Sequence, residues 1–413
     1  MPAEAGALLR LGPEALSLAW ANPSRGVHAV GLGVAGEGEG EVEWVGGPPA
    51  SPPPGPWFGG WAFDAERPWR GFDAERWVLP EVLAWWDGRR AWWAAFGPQG
   101  TREGALRERL RAVHEVQPFT GVRSARRSDE GREAWHRLVE QALADIGAKK
   151  FDKLVVARVI ELEATRPLPE RAILKALEAR HPQCWTFLVR GRDGRAFIGS
   201  SPETLCEVSG GVLLTEALAG TSAAGQGANL LGSAKDRREH AAVVEGIGEA
   251  LAPFTAHLEV PTAPSVMALS NLDHLHTPMR ALLKQGVVPV EVARALHPTP
   301  AVAGRPRLAS VDWLRRHEGF ARGWYTGAVG HRGSGRLTLA VGLRAALVDG
   351  ARAQLFVGAG LVEGSTPEGE WHETERKARA LLPVLGVEEG TDPVQDRRGS
   401  EPLVQGSARW LRP

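Results

Sequence analysis

Cysteine is almost missing: Cys184 and Cys206 are the only two among 413 residues, and they fit no CxxC metal spacing. The first 30 residues carry neither the charged start nor the apolar core of a secretory signal, so a reducing cytoplasm is the expected location. No apolar run approaches the roughly 20 residues of a membrane-spanning helix, because Arg, Glu, Gly or Pro interrupts each one. A soluble chain is expected. Charge of one sign is not in excess either, with Lys plus Arg and Asp plus Glu both at 49. That balance argues against nucleic acid or an anionic membrane surface as partner and in favour of a small molecule. Also missing are GxGxxG after a strand, a Walker loop, HExxH and GxSxG, which removes the simplest nucleotide, metalloprotease and hydrolase readings.

What the chain has is glycine, proline and tryptophan, at 50, 30 and 16 residues, against a single tyrosine. Residues 46–60 (GGPPASPPPGPWFGG) must be irregular and are expected to connect strands across the surface. Trp-rich runs at 77–86 and 91–96 suggest antiparallel strands. Beyond a polar stretch at 123–131, Trp135, Leu138, Val139, Ala142, Leu143 and Ile146 recur at helical spacing. Further strands are expected at 153–162, 184–190, 195–198, 204–208, 212–215, 336–347 and 352–357, and helices at 169–180, 236–251 and 370–382. Strands cluster without strict alternation with helices, which favours an α+β architecture over a doubly wound sheet. Residues 1–125 are expected to be the strand-rich beginning of the same fold, 126–388 the catalytic region and 389–413 a mobile tail.

Candidate chemistry is a dispersed set of carboxylates and cations. Asp236 and Glu239 share a helix face by their spacing of three, and so do Glu370 and Glu373, with Lys377 on the same late helix. Carboxylates on two helices could share a hard divalent cation such as Mg²⁺, or could be solvated faces; spacing alone leaves both open. The run Phe356-Val357-Gly358-Ala359-Gly360 lets a ligand approach backbone amides, or marks a bulge or tight turn. His297, in a turn-rich segment, is expected to be a hydrogen-bonded structural histidine.

Seven segments in order resemble the chorismate-binding family: KLVVAR (153–158), FIGSSPETL (197–205), EALAGT (216–221), KDRREH (235–240), LHPTPAVAG (296–304), RGWYTGAVG (322–330) and VGAGLVEGSTPEGEWHETERK (357–377). The resemblance runs from about residue 130 to 385 and implies an anthranilate synthase component I-like fold, with antiparallel sheets and flanking helices. By the same resemblance Lys153 is the base that activates water and Glu203 the acid that assists departure of the ring hydroxyl. An uncharged lysine and a protonated glutamic acid are what that chemistry requires. Glu239 and Glu370 fall at metal positions, with Glu373 close by and Asp236 as outer support, and Mg²⁺ is the implied cofactor. Arg344, Tyr325 and the amides of Gly358 and Gly360 are implied to hold a carboxylate of chorismate, a task suited to a guanidinium. Lys377, Gly220 and Thr221 are implied as further substrate contacts.

Within the family, Lys153 resembles the water-using members and not the anthranilate synthases. Ala301, at the end of HPTPA, resembles isochorismate synthases, whereas salicylate and aminodeoxychorismate synthases commonly have threonine there. The implied reaction is therefore reversible isomerisation of chorismate to isochorismate, ahead of a salicylate or aminodeoxychorismate synthase. A noncatalytic chorismate sensor or regulatory subunit is the alternative of a different class, opposed by the intact Lys153, Glu203, Glu239 and Glu370. No glutamine amidotransferase subunit is expected, and a monomer or weak homodimer is. WFGGWAFD (57–64) leans toward menaquinone-pathway members over siderophore ones.

Overall fold

Short alternating runs rich in Val, Trp, Phe and Leu make strands of much of the chain, and amphipathic helices fill the intervals between them. A computed structural model describes residues 16–38, 56–87, 91–96, 126–129, 131–269, 272–333 and 335–387. The tail at 389–413 and most of the Pro-rich segment at 46–60 lie outside these residues, as does part of 123–131.

Among the described residues the strands form two sheets, of 11 and 10 strands, and every pairing is antiparallel. The larger runs Gly304–Arg305, Lys153–Glu163, Arg352–Leu361, Ala345–Asp349, Ala196–Ser201, Trp185–Arg190, Leu16–Asn22, Val27–Leu32, Val82–Asp87 and Ala91–Ala95, with Arg126–Asp129 also on Lys153–Glu163. The smaller runs Thr255–Glu259, Leu272–Leu283, Val212–Ala223, Thr204–Ser209, Arg336–Val341, Ala328–Gly333, Trp57–Trp61, Glu75–Leu79 and Gly36–Glu37, with Ser265–Ala268 also on Leu272–Leu283. Strands from before residue 126 lie in both sheets. Trp20 is opposite Phe187 in one, and Gly60 is opposite Val329 in the other.

The α-helices are α1 (Arg132–Gly147), α2 (Glu170–Arg180), α3 (Gly227–Gly232), α4 (Ala234–Leu251), α5 (Pro289–Leu296), α6 (Arg307–His317) and α7 (Pro367–Ala378). α1 buries Trp135, Val139, Ala142 and Ile146, one stripe at spacings of four and three. Ser233 caps α4 by accepting from the Asp236 amide, and Thr366 caps α7 by accepting from the Gly369 amide. The α+β architecture is the expected one.

Three boundaries differ from the sequence reading. Residues 77–86 are two strands, one in each sheet, because Pro80 cannot donate to a ladder and ends the first. Residues 336–347 also divide between the sheets, and the chain turns at Gly342-Leu343-Arg344, where Arg344 takes a left-handed φ of 46°. The late helix starts at Pro367 and stops at Ala378, and Leu382–Leu385 is a separate 3-10 turn. Residues 272–283 and helices α5 and α6 had no counterpart in that reading.

Candidate active site

The sheets part where strands run out of partners. Arg352–Leu361 pairs with Ala345–Asp349 only as far as Phe356, so residues 357–361 keep a strand on one edge and open the other. Across from them Val212–Ala223 is bulged at Gly220, which holds φ at 77°, and the ladder to Leu272–Leu283 resumes at Thr221. Between these edges lies a cleft with a cavity volume of about 90 Å³. Gly220, Thr221, Ala301, Tyr325, Arg344, Gly358, Gly360 and Lys377, all singled out in the sequence, line it together with Glu203 and Glu239.

Lys153 is completely buried just behind that wall, with Nζ 2.9 Å from Glu239 Oε1. Gly360 leaves the room for this pair. A Cβ there would lie 2.3 Å from Glu239 Oε1 and 3.0 Å from Lys153 Cε. Glu203 is 3% exposed. Burial first, and then the nearby Glu216 carboxylate, push its carboxyl up to about 8, while Lys153, the Thr299 hydroxyl and Lys377 pull weakly the other way. The shift is in the direction that favours a protonated carboxyl, as an acid requires.

Arg344 is buried at the crossing between the sheets, and burial lowers the pKa of its guanidinium from the ordinary value. Its Nη2 donates to His274 Nε2 at 3.1 Å, and its Nη1 is buried with no partner among the described residues. Because arginine only donates, the His274 proton sits on Nδ1, which lies 3.1 Å from Thr221 Oγ1 and donates to it. Burial, aided by Arg344 and Lys377, holds the His274 pKa well below its ordinary value and keeps the ring neutral. Thr221 also lines the cleft. Tyr325 stacks on Phe356 with centroids 5.2 Å apart, and Lys377 Nζ donates to the Gly358 carbonyl at 3.0 Å.

Glu370 and Glu373 line a neighbouring recess with Lys235 and Asp236, which meets the cleft at Thr221. Each candidate metal carboxylate holds a lysine: Glu239 with Lys153 at 2.9 Å, Glu370 with Lys235 at 2.7 Å and Glu373 with Lys377 at 2.8 Å. Among the described residues no three His, Cys, Asp or Glu side chains are grouped so as to hold a metal. Yet Glu370 Oε2 is buried with no hydrogen bond of good geometry among the described residues, and burial together with Glu373 raises the Glu370 pKa. Burial works to raise the Glu373 carboxyl too, but Lys377 and Lys235 outweigh it and hold it below the ordinary value. A hard cation fits this donor set. It would take up Glu370 Oε2 and replace positive charge now supplied by lysines.

The sequence reading missed His274, Thr299 and Lys235. Lys235 stands in the quoted KDRREH segment, and its place one residue before Asp236 was the available signal. Thr299 likewise stands in the quoted LHPTPAVAG segment, whereas His274 carries no local pattern, since its partners Arg344 and Thr221 come from far along the chain. His297 is structural as expected: it accepts from Trp61 Nε1 at 3.0 Å and donates to the Thr326 carbonyl at 2.9 Å.

Residues 51–386 match the family described as chorismate binding enzyme. The chain is similar to the salicylate biosynthesis isochorismate synthase of Pseudomonas aeruginosa, 40% identical over 294 residues that cover 68% of this chain and 60% of the relative. It is also similar to the isochorismate synthase MenF of Escherichia coli, 33% identical over 293 residues and 68% of each chain. The matches span 60% of the first of these relatives and 56% of MenF from Bacillus subtilis. The solved structure of the E. coli menaquinone-specific isochorismate synthase superposes with a TM-score of 0.77 at 27% identity, covering 92% of this chain and 91% of that one. Anthranilate synthase component I of Streptococcus pneumoniae superposes at 0.71 and 18% identity, over 90% and 92% of the two chains, and shares the fold.

Proposed function

Because the chain belongs to the chorismate binding enzyme family, we propose that it is an isochorismate synthase, exchanging the C4 hydroxyl of chorismate for a C2 hydroxyl taken from water. The observation that carries this reading is a buried carboxyl, Glu203, whose pKa burial raises, in the same cleft as a buried guanidinium, Arg344, that has one nitrogen unpartnered among the described residues. An acid is what a leaving hydroxyl needs, and an unpaired guanidinium is what a dicarboxylate substrate supplies with a partner.

In this reading Lys153, in its uncharged form, takes a proton from water as oxygen adds to C2. The double bonds shift, and Glu203 gives its proton to the departing C4 hydroxyl. Both groups are back in their starting states after one proton passes from lysine to glutamate through solvent. Arg344 binds the carboxylate of the enolpyruvyl side chain, with His274 holding the guanidinium and Thr221 alongside. Tyr325, packed flat on Phe356, and Ala301 shape the wall, and the Gly358 and Gly360 edge offers backbone amides. Mg²⁺ is the proposed cofactor, held by Glu239 and Glu370 with Glu373 beside them, and when bound it would neutralise the ring carboxylate and orient the ring.

Incubating the purified protein with chorismate and Mg²⁺, with and without ammonia, and separating the products by chromatography tests the reading. Isochorismate formed without ammonia is expected. Salicylate and pyruvate as the main products would instead make it a salicylate synthase, and a product that requires ammonia would make it an aminodeoxychorismate synthase. No turnover under any condition would favour a chorismate-binding regulator.

A further inference from the structure

The strands Thr204–Ser209 and Val212–Ala223 pair backbone to backbone only from Ser209 and Val212 to Glu207 and Leu214. Past Leu214 side chains take over from the ladder. Thr215 Oγ1 donates to the Leu205 carbonyl at 2.7 Å, and the Thr204 amide donates to Glu216 Oε1 at 2.7 Å. The peptide that follows Glu203 is thus held by a carboxylate, and Trp185 Nε1 steadies the same residue by donating to the Thr204 hydroxyl at 3.0 Å. Glu216 uses its other oxygen to accept from His276 Nε2 at 2.8 Å. Neither Glu216 nor His276 lines the cleft. They line a separate surface groove, together with Thr204.

Holding an amide needs only an oxygen, which a glutamine would supply equally well. A full negative charge behind a buried acid does something further, because like charges disfavour a second ionisation nearby. We propose that Glu216, oriented by His276, is a positioning residue for Glu203: its carboxylate fixes the Thr204 peptide, and its charge opposes a second negative charge on the acid. The inference rests on the reading of Glu203 as the acid. Among the described residues the other groups that act on the Glu203 carboxyl are Lys153, Lys377 and the Thr299 hydroxyl, and all three act in the opposite sense. Glu216 is therefore the side chain that works with burial to keep the proton on.

The test compares wild type with Glu216→Gln and Glu216→Asp, following kcat and KM for chorismate with Mg²⁺ from neutral to alkaline pH. Glu216→Gln keeps an oxygen for the Thr204 amide and removes the charge, so the alkaline fall in kcat should move down by about one pH unit with KM little changed. Glu216→Asp keeps the charge and disturbs the reach, so its fall should stay where the wild type has it, at a lower kcat. A structural role alone would impair both variants without moving either profile, and that result would overturn the proposal. The infrared carbonyl band of protonated Glu203, identified by its loss in Glu203→Gln, reads the same shift without turnover. An unmoved band midpoint in folded Glu216→Gln would also overturn it. If Glu203→Gln turned chorismate over normally, the acid reading would have failed, and the band titration would still decide the link between Glu216 and Glu203.

Discussion

The proposed base and the proposed carboxylate receptor differ in what they contact, so their loss should be told apart by kinetics. Lys153 is buried beside Gly360 and Glu239, while Arg344 lines the cleft with Nη1 unpartnered among the described residues. Lys153→Ala should keep chorismate binding and lose turnover by about a hundredfold to ten-thousandfold, the span of a positioned acid or base. Arg344→Ala should raise KM as well, because it removes a contact made in the ground state. Steady-state kinetics with a separate binding measurement checks both, and near-normal kcat in Lys153→Ala would end its assignment as base. Glu203 sets a pH dependence of definite sign. Its carboxyl is raised from 4.5 to about 8, so the proton needed for the reaction is present below that value and lost above it. Turnover at saturating chorismate should fall through an alkaline limb centred near pH 8, and that limb should vanish from the residual activity of Glu203→Gln. Linkage runs the same way: the fold favours the protonated carboxyl, so Glu203 costs stability progressively between pH 4.5 and about 8.

At the scale of the element, α7 brings the recess its carboxylates. Its Thr366 cap fixes the first turn, and the spacing of Glu370 and Glu373 puts both on one side of the helix. Excess chelator should abolish turnover and Mg²⁺ restore it. Glu370→Gln, nearly unchanged in shape, should bind Mg²⁺ weakly by calorimetry while melting at close to the wild-type temperature. Wild-type turnover in the presence of chelator would exclude the metal. The sequence made this helix legible because i, i+3 spacing is local, and for the same reason α1 and Lys153–Glu163 were read near their true limits. It could not reveal that Lys153 and Lys235 face these carboxylates, since each of those pairings joins separate elements. Nor could it separate 336–341 from 345–349. Apolar residues recur through both, and the left-handed Arg344 sends the second strand into the other sheet. His274 escaped notice because its meaning comes from Arg344 and Thr221, 70 and 53 residues away.

For the whole molecule, the decisive fact is that neither sheet is complete without strands from the first part of the chain. Leu16–Asn22 covers the edge of Trp185–Arg190, and Trp57–Trp61 covers the edge of Ala328–Gly333. The aromatic core crosses the same divide: Trp20 stacks on Trp185 at 4.8 Å, Trp69 on Phe356 at 5.2 Å, and Phe356 in turn on the cleft residue Tyr325. Removing the early strands would expose these rings, at about 25 cal/mol per Å² of apolar surface, and would leave two unpaired strand edges. We therefore propose that residues 1–125 and 126–388 fold as one unit. The full chain should show a single calorimetric transition with agreement between tryptophan fluorescence and far-ultraviolet circular dichroism. A chain beginning at residue 126 should be insoluble or lack fixed tertiary structure, and should regain chorismate turnover only when the first part is supplied as a separate polypeptide. A soluble, cooperatively melting and active fragment from residue 126 would show that the early strands are an appendage, and that the wall behind Tyr325 and Phe356 stands without them.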